Sequence, residues 1–161
     1  MGRIELRRKE GASLWAVVDD ADLPALGKYR WYANTSKSTT YAQASINENG
    51  VRRTIRMHKL LTGWDMTDHI DGDGLNNRRS NLRPATNAQN QVNSRLRRGN
   101  SQYRGVCKDV RNGVWKANIN VSGRRITLGT FRDEVEAAKA YDAAATEHHG
   151  EFARLNFERK F

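Results

Sequence analysis

Strand-like segments dominate the first third of this 161-residue chain and recur after residue 101, where apolar and polar side chains alternate before the spacing lengthens to a helical period. SLWAVVDD reads as a strand, ADLPALGKY as a short helical turn, and RWYANTSKSTTYAQASI as one or two strands ending in a turn at Glu48-Asn49-Gly50. Val51 to Met57 returns as a further strand, and Trp15, Trp31 and Trp64 are expected in the core of this β-rich stretch. After residue 101, turn residues at Asn112-Gly113 and Ser122-Gly123 separate three antiparallel strands at roughly 102–109, 114–121 and 124–130. Val135, Ala138, Tyr141, Ala144 and Ala145 then recur at helical spacing behind Asp133 and Glu134, whose charge suits a helix N-terminus. That spacing predicts a helix over 133–148 covering one face of the sheet.

Composition changes this picture by dividing it. A hydrophobic content of 37% is low for one compact domain of this length and favours two small modules. Val92 to Ser101, VNSRLRRGNS, is polar and basic and reads as the tether between them. Cys107 is the only cysteine, which excludes a disulfide framework or a multi-cysteine zinc site and suits a reducing compartment. The sequence has no apolar stretch of membrane-spanning length and no apolar core near MGRIELRRKE, so a soluble cytoplasmic protein is expected, with no membrane partner.

The net charge of +10 is unevenly spread. Residues 1–50 hold seven basic and six acidic side chains, whereas residues 51–100 hold ten and four. Within the last segment, residues 101–131 carry Arg104, Lys108, Arg111, Lys116, Arg124 and Arg125 against Asp109 alone. Residues 132–161 are net acidic, so a basic sheet backed by an acidic helix is expected to present the sheet to phosphates.

Candidate chemistry concentrates in MHKLLTGWDMTDHIDGDGLNNRRSNLRPATNAQNQVN. Here Asp68-His69 is followed by Asn81 and Asn90. One imidazole beside one carboxylate, with carboxamides downstream, suits a single-metal phosphodiesterase site. A neutral imidazole can take a proton from water, and carboxylate and amide oxygens are the donors a hard divalent ion prefers. Asp71-Gly72-Asp73-Gly74 invites a calcium-loop reading, but the positions that would need Gly and Glu hold Asn76 and Leu82. A tight polar loop between two short strands is the better account. His58 either packs or contacts phosphate, and Arg52, Arg53, Arg56, Arg78, Arg79 and Arg83 are candidates to clamp phosphates.

Residues 57–95 resemble the HNH nuclease family, most closely its phage and intron homing-endonuclease branch. The resemblance implies a ββα-metal (His-Me) finger with His69 as general base and Asp68 and Asn90 as ligands of one divalent cation, magnesium or manganese. Asn81 would pin the loop that holds the base. The words YRGV, LGTF, EAAKAYDAAA and LNF make residues 101–157 similar to the ethylene-response-factor (APETALA-type) DNA-binding domain, a three-stranded sheet that lies in the major groove. Arg104 and Arg125 stand at that family's DNA-contacting arginine positions, and Trp115 at an aromatic one that is either core or contact. Asn118, Asn120, Thr127, Cys107 and Asp109 depart from the plant pattern, so its recognition sequence does not transfer.

The expected architecture is α+β: a β-rich support region at 1–56, a nuclease finger at 57–95, a basic linker at 96–100, and a three-stranded sheet on one helix at 101–157. The expected function is metal-dependent cleavage of double-stranded DNA, leaving 5′-phosphate and 3′-hydroxyl ends, in a bacterial or phage-infected cell. A monomer is preferred and should nick. The rival readings are a DNA-binding regulator whose finger is structural, and an RNA-acting or structure-specific enzyme. Against RNA stands the A-form major groove, which is too narrow for such a sheet.

Overall fold

Asn49 and Gly50 both take positive φ, 52° and 79°, which is the backbone a two-residue hairpin turn requires. They fold β4 (Thr40–Glu48) onto β5 (Val51–Arg56), and β4 also pairs antiparallel with β3 (Trp31–Thr35). The computed structural model describes residues 1–8, 11–36, 39–93 and 100–157. It has mixed α+β architecture built from several small antiparallel sheets. Contacts divide the chain into two compact units, Met1–Asn87 and Ala88–Phe161.

In the first unit, β1 (Gly2–Leu6) pairs with β2 (Leu14–Val18), and a 3-10 turn leads into the short helix α1 (Leu23–Leu26). The strand at β1 was not expected, because its five residues include a glycine and two charged side chains. Leu6, Ala16, Val18, Leu26, Trp31, Ala42, Ala44 and Met57 form the core. Trp31 sits at its centre, and its indole N–H donates to the Leu26 carbonyl at 2.9 Å.

The other two tryptophans do not join this core: Trp15 is 46% exposed and Trp64 38%. Alternation along β2 sends Ala16 and Val18 inward, which turns Trp15 outward across from Glu5. Trp64 follows Gly63, whose φ of 70° ends helix α2 (Met57–Thr62) and carries the chain out of the packed layer. Met57 therefore begins this helix rather than finishing β5. Two three-residue strands follow, β6 (Thr67–His69) and β7 (Leu82–Pro84), paired antiparallel. The loop between them is not a tight connection but runs from 70 to 81, ending in a 3-10 turn.

Helix α3 (Asn87–Val92) comes next in the chain. The expected linker lies outside the described residues apart from Asn100. That side chain exchanges two hydrogen bonds with the Lys108 backbone and so belongs to the edge of the C-terminal sheet.

The second unit contains the sheet β10-β9-β8, formed by β8 (Val106–Asp109), β9 (Val114–Val121) and β10 (Arg124–Phe131). Helix α4 (Glu134–His149) packs on it through Ala137, Ala138, Tyr141 and Ala145. Asp133 caps the helix by accepting from the Val135 and Glu136 amides at 2.9 and 3.0 Å. The first strand starts later than its alternation suggests, because Gly105 has φ +73° and lies against Tyr141, whose ring a Cβ at this position would overlap. Asp142 accepts from the Asn156 and Phe157 amides and ties the C-terminal segment to α4. No helix among the described residues is long and apolar enough to cross a membrane.

Candidate functional site

Asp68 and His69 end β6, and both are 5% exposed. In the register of β6 and β7, Asp68 faces Arg83 and His69 faces Leu82. Arg83 donates to Asp68 Oδ2 through Nε at 2.9 Å and Nη2 at 2.7 Å. This is a charge-assisted pair with both partners largely withdrawn from water.

The loop after His69 is held by carboxamides. Asn81 donates through Nδ2 to Asp71 Oδ1 at 2.9 Å and to the Asn76 carbonyl at 2.8 Å, and its Oδ1 accepts from the Asp71 amide at 3.1 Å. Burial pushes the Asp71 carboxyl up, but hydrogen bonds from the Asp73 backbone, Asn76 and Asn81 outweigh it and hold the group below its ordinary value. Asn77 is fully buried, and its Nδ2 points at the Gly74 and Leu75 carbonyls at 3.4 and 3.2 Å. Those donations orient the amide so that its Oδ1, 3.3 Å from His69 Nε2, acts as acceptor. His69 Nε2 then carries the hydrogen, and Nδ1 is the basic nitrogen.

Two further rings brace this imidazole. His58 lies 5.0 Å from His69, centroid to centroid and edge-on, and Tyr41 lies 5.8 Å away. Gly74 allows the loop to approach β4, since a Cβ there would run into the Thr40 carbonyl and the Tyr41 ring. Burial lowers the His69 pKa more than the Asn77 hydrogen bond and Asp71, Asp68 and Asp73 raise it, so the ring is neutral near pH 7. Burial, then the proximity of His69 and Arg56, brings His58 down to about 3. His58 is thus a buried neutral ring against His69.

The backbone of the first hairpin anchors the loop as well. Val17 N–H donates to Leu75 O at 2.9 Å, and Asn77 N–H donates to Val17 O at 2.7 Å. Asp19 accepts from the Arg79 amide, and Asp22 pairs with the Arg79 guanidinium at 2.8 Å.

The structure thus brings together Asp68, His69, Asn81, His58 and Arg83. Asn90 lies on α3 and falls in the second unit. Among the clamp candidates, Arg83 and Arg79 are engaged with carboxylates, and Arg78 Nε donates to Asn76 Oδ1 at 2.9 Å. Arg52, Arg53 and Arg56 remain exposed on β5. Sequence reading missed Asn77 and Tyr41. Asn77 is one of two adjacent asparagines with nothing to mark it as the one facing the base, and Tyr41 sits in a stretch with no motif.

Register sorts the candidate contacts of the second unit by face, because cross-strand partners share one side of a sheet. Val106, Ala117 and Ile119 face α4. Cys107, Lys116, Asn118, Asn120, Arg125 and Thr127 therefore share the open face. Trp115 pairs with Lys108 on the helix side, packs against the core, and has Lys108 Nζ 5.2 Å from its ring centroid. Arg124 has helix-side register at the Ser122-Gly123 turn, and Arg111 is exposed at the preceding turn. Arg104 precedes β8 half-buried, its amide donating to Asn156 Oδ1 at 2.6 Å. The expectation that all this charge leaves on the open face is thus corrected by strand alternation. That face is polar rather than uniformly basic, and its Lys116 pairs with Asp109 at 2.7 Å.

The chain matches no family model. It is 31% identical over 147 residues to an uncharacterized HNH endonuclease of Acanthamoeba polyphaga mimivirus, an alignment covering 91% of this chain and 76% of that protein. Over 63 residues, 38% of this chain, it is 48% identical to an ethylene-responsive transcription factor of Arabidopsis thaliana. It is 49% identical over a stretch of the same length to an AP2-like ethylene-responsive transcription factor of the same plant. Those alignments span only 15% and 11% of the two plant proteins.

Proposed function

Because the chain belongs to the HNH endonuclease family, we propose that it hydrolyses a phosphodiester bond of duplex DNA, with His69 as general base. The observation that carries this reading is the buried, neutral imidazole of His69, whose Nε2 is turned to Asn77 and whose neighbour in sequence is a buried carboxylate. Nδ1 of His69 takes the proton from the attacking water, and Asn77, His58 and Tyr41 hold the ring in place while it does so. Asn81 keeps the loop closed beneath it.

Asp68 would offer its carboxylate to one divalent cation, magnesium or manganese; Asn90 as second ligand, and residues 57–95 as a ββα-metal finger, are proposed on the HNH resemblance alone. The donor chemistry fits, since carboxylate and carboxamide oxygens suit a hard ion. When bound, such an ion supplies charge stabilisation at the phosphate and the leaving oxygen. Residues 101–157 act as the DNA-reading module, with Arg125 and Lys116 on the open face and Arg124 and Arg111 at the turns. Tethering it to the finger raises the local concentration of duplex at the site.

A second reading, a DNA-binding regulator with an inactive finger, draws on the Arg83 guanidinium that already occupies Asp68 Oδ2. Conversion of supercoiled plasmid at low salt, with magnesium, manganese or chelator, separates the two. Metal-dependent nicking that falls by roughly 10²–10⁴ in His69→Ala is expected. Duplex binding with no cleavage in any metal would establish the regulator instead.

A further inference from the structure

The first third of the sequence is nearly neutral, yet the fold sorts its charges. Asp20 pairs with the N-terminal amine, Asp19 and Asp22 engage Arg79, Glu48 pairs with Arg53, and Glu5 accepts from Ser13. Arg7, Lys28, Arg30 and Arg52 form no ion pair among the described residues and line one groove of about 520 Å³ with Tyr29 and Tyr32. Among the described residues no carboxylate lines it.

The groove exists because two paired strands differ in length. β4 has nine residues and β3 has five, and their register ends at Trp31 opposite Ala44. Ser45 to Glu48 therefore overhang β3 and pair with β5 alone among the described residues. The segment Lys28–Arg30 enters β3 beside this overhang. Its walls are firm. The Arg7 amide donates to Trp31 O at 2.9 Å, the Arg7 carbonyl accepts from the Ala33 amide at 3.2 Å, and Arg52 Nη2 reaches Ser45 Oγ at 3.3 Å.

The same strand leads to the candidate base. Tyr41, near the start of β4, packs against His69, and the overhang begins four residues further on. At ~3.3 Å per residue, Ser45 to Asn47 lie about 13–20 Å along the strand from Tyr41. At ~3.4 Å per nucleotide that span is about four to six base pairs.

We propose that the groove between Lys28–Arg30 and the β4 overhang binds the sugar-phosphate backbone of duplex DNA, about four to six base pairs from the phosphate cleaved at His69. The cations supply a sequence-independent hold that is separate from the finger and from the C-terminal sheet. An open strand edge also suits β-augmentation by a peptide, but four cations with no carboxylate among the described lining residues favour a polyanion. The choice of DNA rests on the nuclease reading above.

The test is binding of a fluorescent 40-base-pair duplex by the full chain in chelator, followed as salt is raised. Lys28→Ala/Arg30→Ala/Arg52→Ala should lower the slope of log affinity against log salt by about 2 to 3, at ~0.9 per phosphate contact. Arg30→Lys/Arg52→Lys should keep the wild-type slope. Should the triple variant melt early, Lys28→Ala alone carries the test, with an expected decrease of about 0.9. An unchanged slope, an equal decrease in the charge-preserving variant, or a loss larger on single-stranded than on duplex DNA would overturn the proposal. Because binding is read without turnover, a chain that never cuts but loses this slope keeps the groove and loses the nuclease reading.

Discussion

Met1–Asn87 buries Asp68, His69, Asn76, Asn77 and Asn81 close together, each with hydrogen-bond partners, whereas Ala88–Phe161 buries alanines, Val106, Ile119, Tyr141 and Phe152 and, apart from Asn93, leaves the polar side chains of its described residues nearer the surface. In the first unit, Asn77, which faces His69, is itself oriented by two carbonyls, and those carbonyls belong to a loop closed by another carboxamide. Loop stability and the setting of His69 are therefore coupled there. In the second unit the helix-facing side of the sheet carries the fold and the open side carries candidate contacts. Residues on the open side can change without disturbing the core. A chain built this way can change its open sheet face far more easily than the setting of His69.

The largest effect that would sharpen this contrast is expected from Gly105→Ala. The new methyl group would enter the Tyr141 ring at a backbone angle that L side chains rarely adopt, at a cost on the order of 3 kcal/mol or more. Thermal melting of the full chain should show loss of the second unit while the first persists, and an unshifted melting curve would contradict the packing described.

Next comes Asn81→Ala, which leaves the Asp71 amide and the Asn76 carbonyl without their carboxamide partner. It should cost about 1–3 kcal/mol in urea unfolding. It should also slow plasmid nicking more than it weakens duplex binding; the opposite order would uncouple this network from the chemistry.

A smaller effect follows from pH. Burial lowers His58 from 6.5 to about 3 in the folded chain. The unfolded chain therefore binds this proton first as pH falls. The stability is intact above about 6.5, is lost progressively between there and about 3, and changes no further below, with a slope of at most about 1.4 kcal/mol per pH unit from this group. Urea midpoints between pH 7 and 4 should show a shallower decline in His58→Phe than in wild type.

The smallest stability effect belongs to Arg124→Ala and Arg125→Ala, each within about 0.5 kcal/mol of wild type by melting. A phosphate contact at either position would lower the salt slope of binding by about 0.9, while a base contact would relax sequence preference by about 1–3 kcal/mol. A variant that unfolds the sheet would break the comparison between the two units.

These expectations also show where sequence is informative. The three C-terminal strands and helix α4 were legible because Asn112-Gly113 and Ser122-Gly123 mark the turns and the apolar period changes from two to helical. The delayed start of β8 was not, since it depends on Gly105 meeting Tyr141, a long-range contact that no local pattern encodes. In the first unit, the Glu48-Asn49-Gly50 turn announced its hairpin. Trp15 and Trp64 misled because size suggests burial, while strand alternation and a left-handed glycine decide the direction. Asp68, His69 and Asn81 could be singled out by spacing. Asn77 and Tyr41 could not, because their proximity to His69 exists only once the loop folds against β4.

The backbone exchange between Val17 and the loop at Leu75 and Asn77 limits how this molecule could be recombined. A cut before residue 57 would remove the strand to which the loop is stitched, along with the aspartates that hold Arg79. The segment after residue 57 is therefore not a portable cassette. A transplantable piece starts at Met1 and, to keep Asn90 with Asp68 and His69, runs through the end of α3 at Val92.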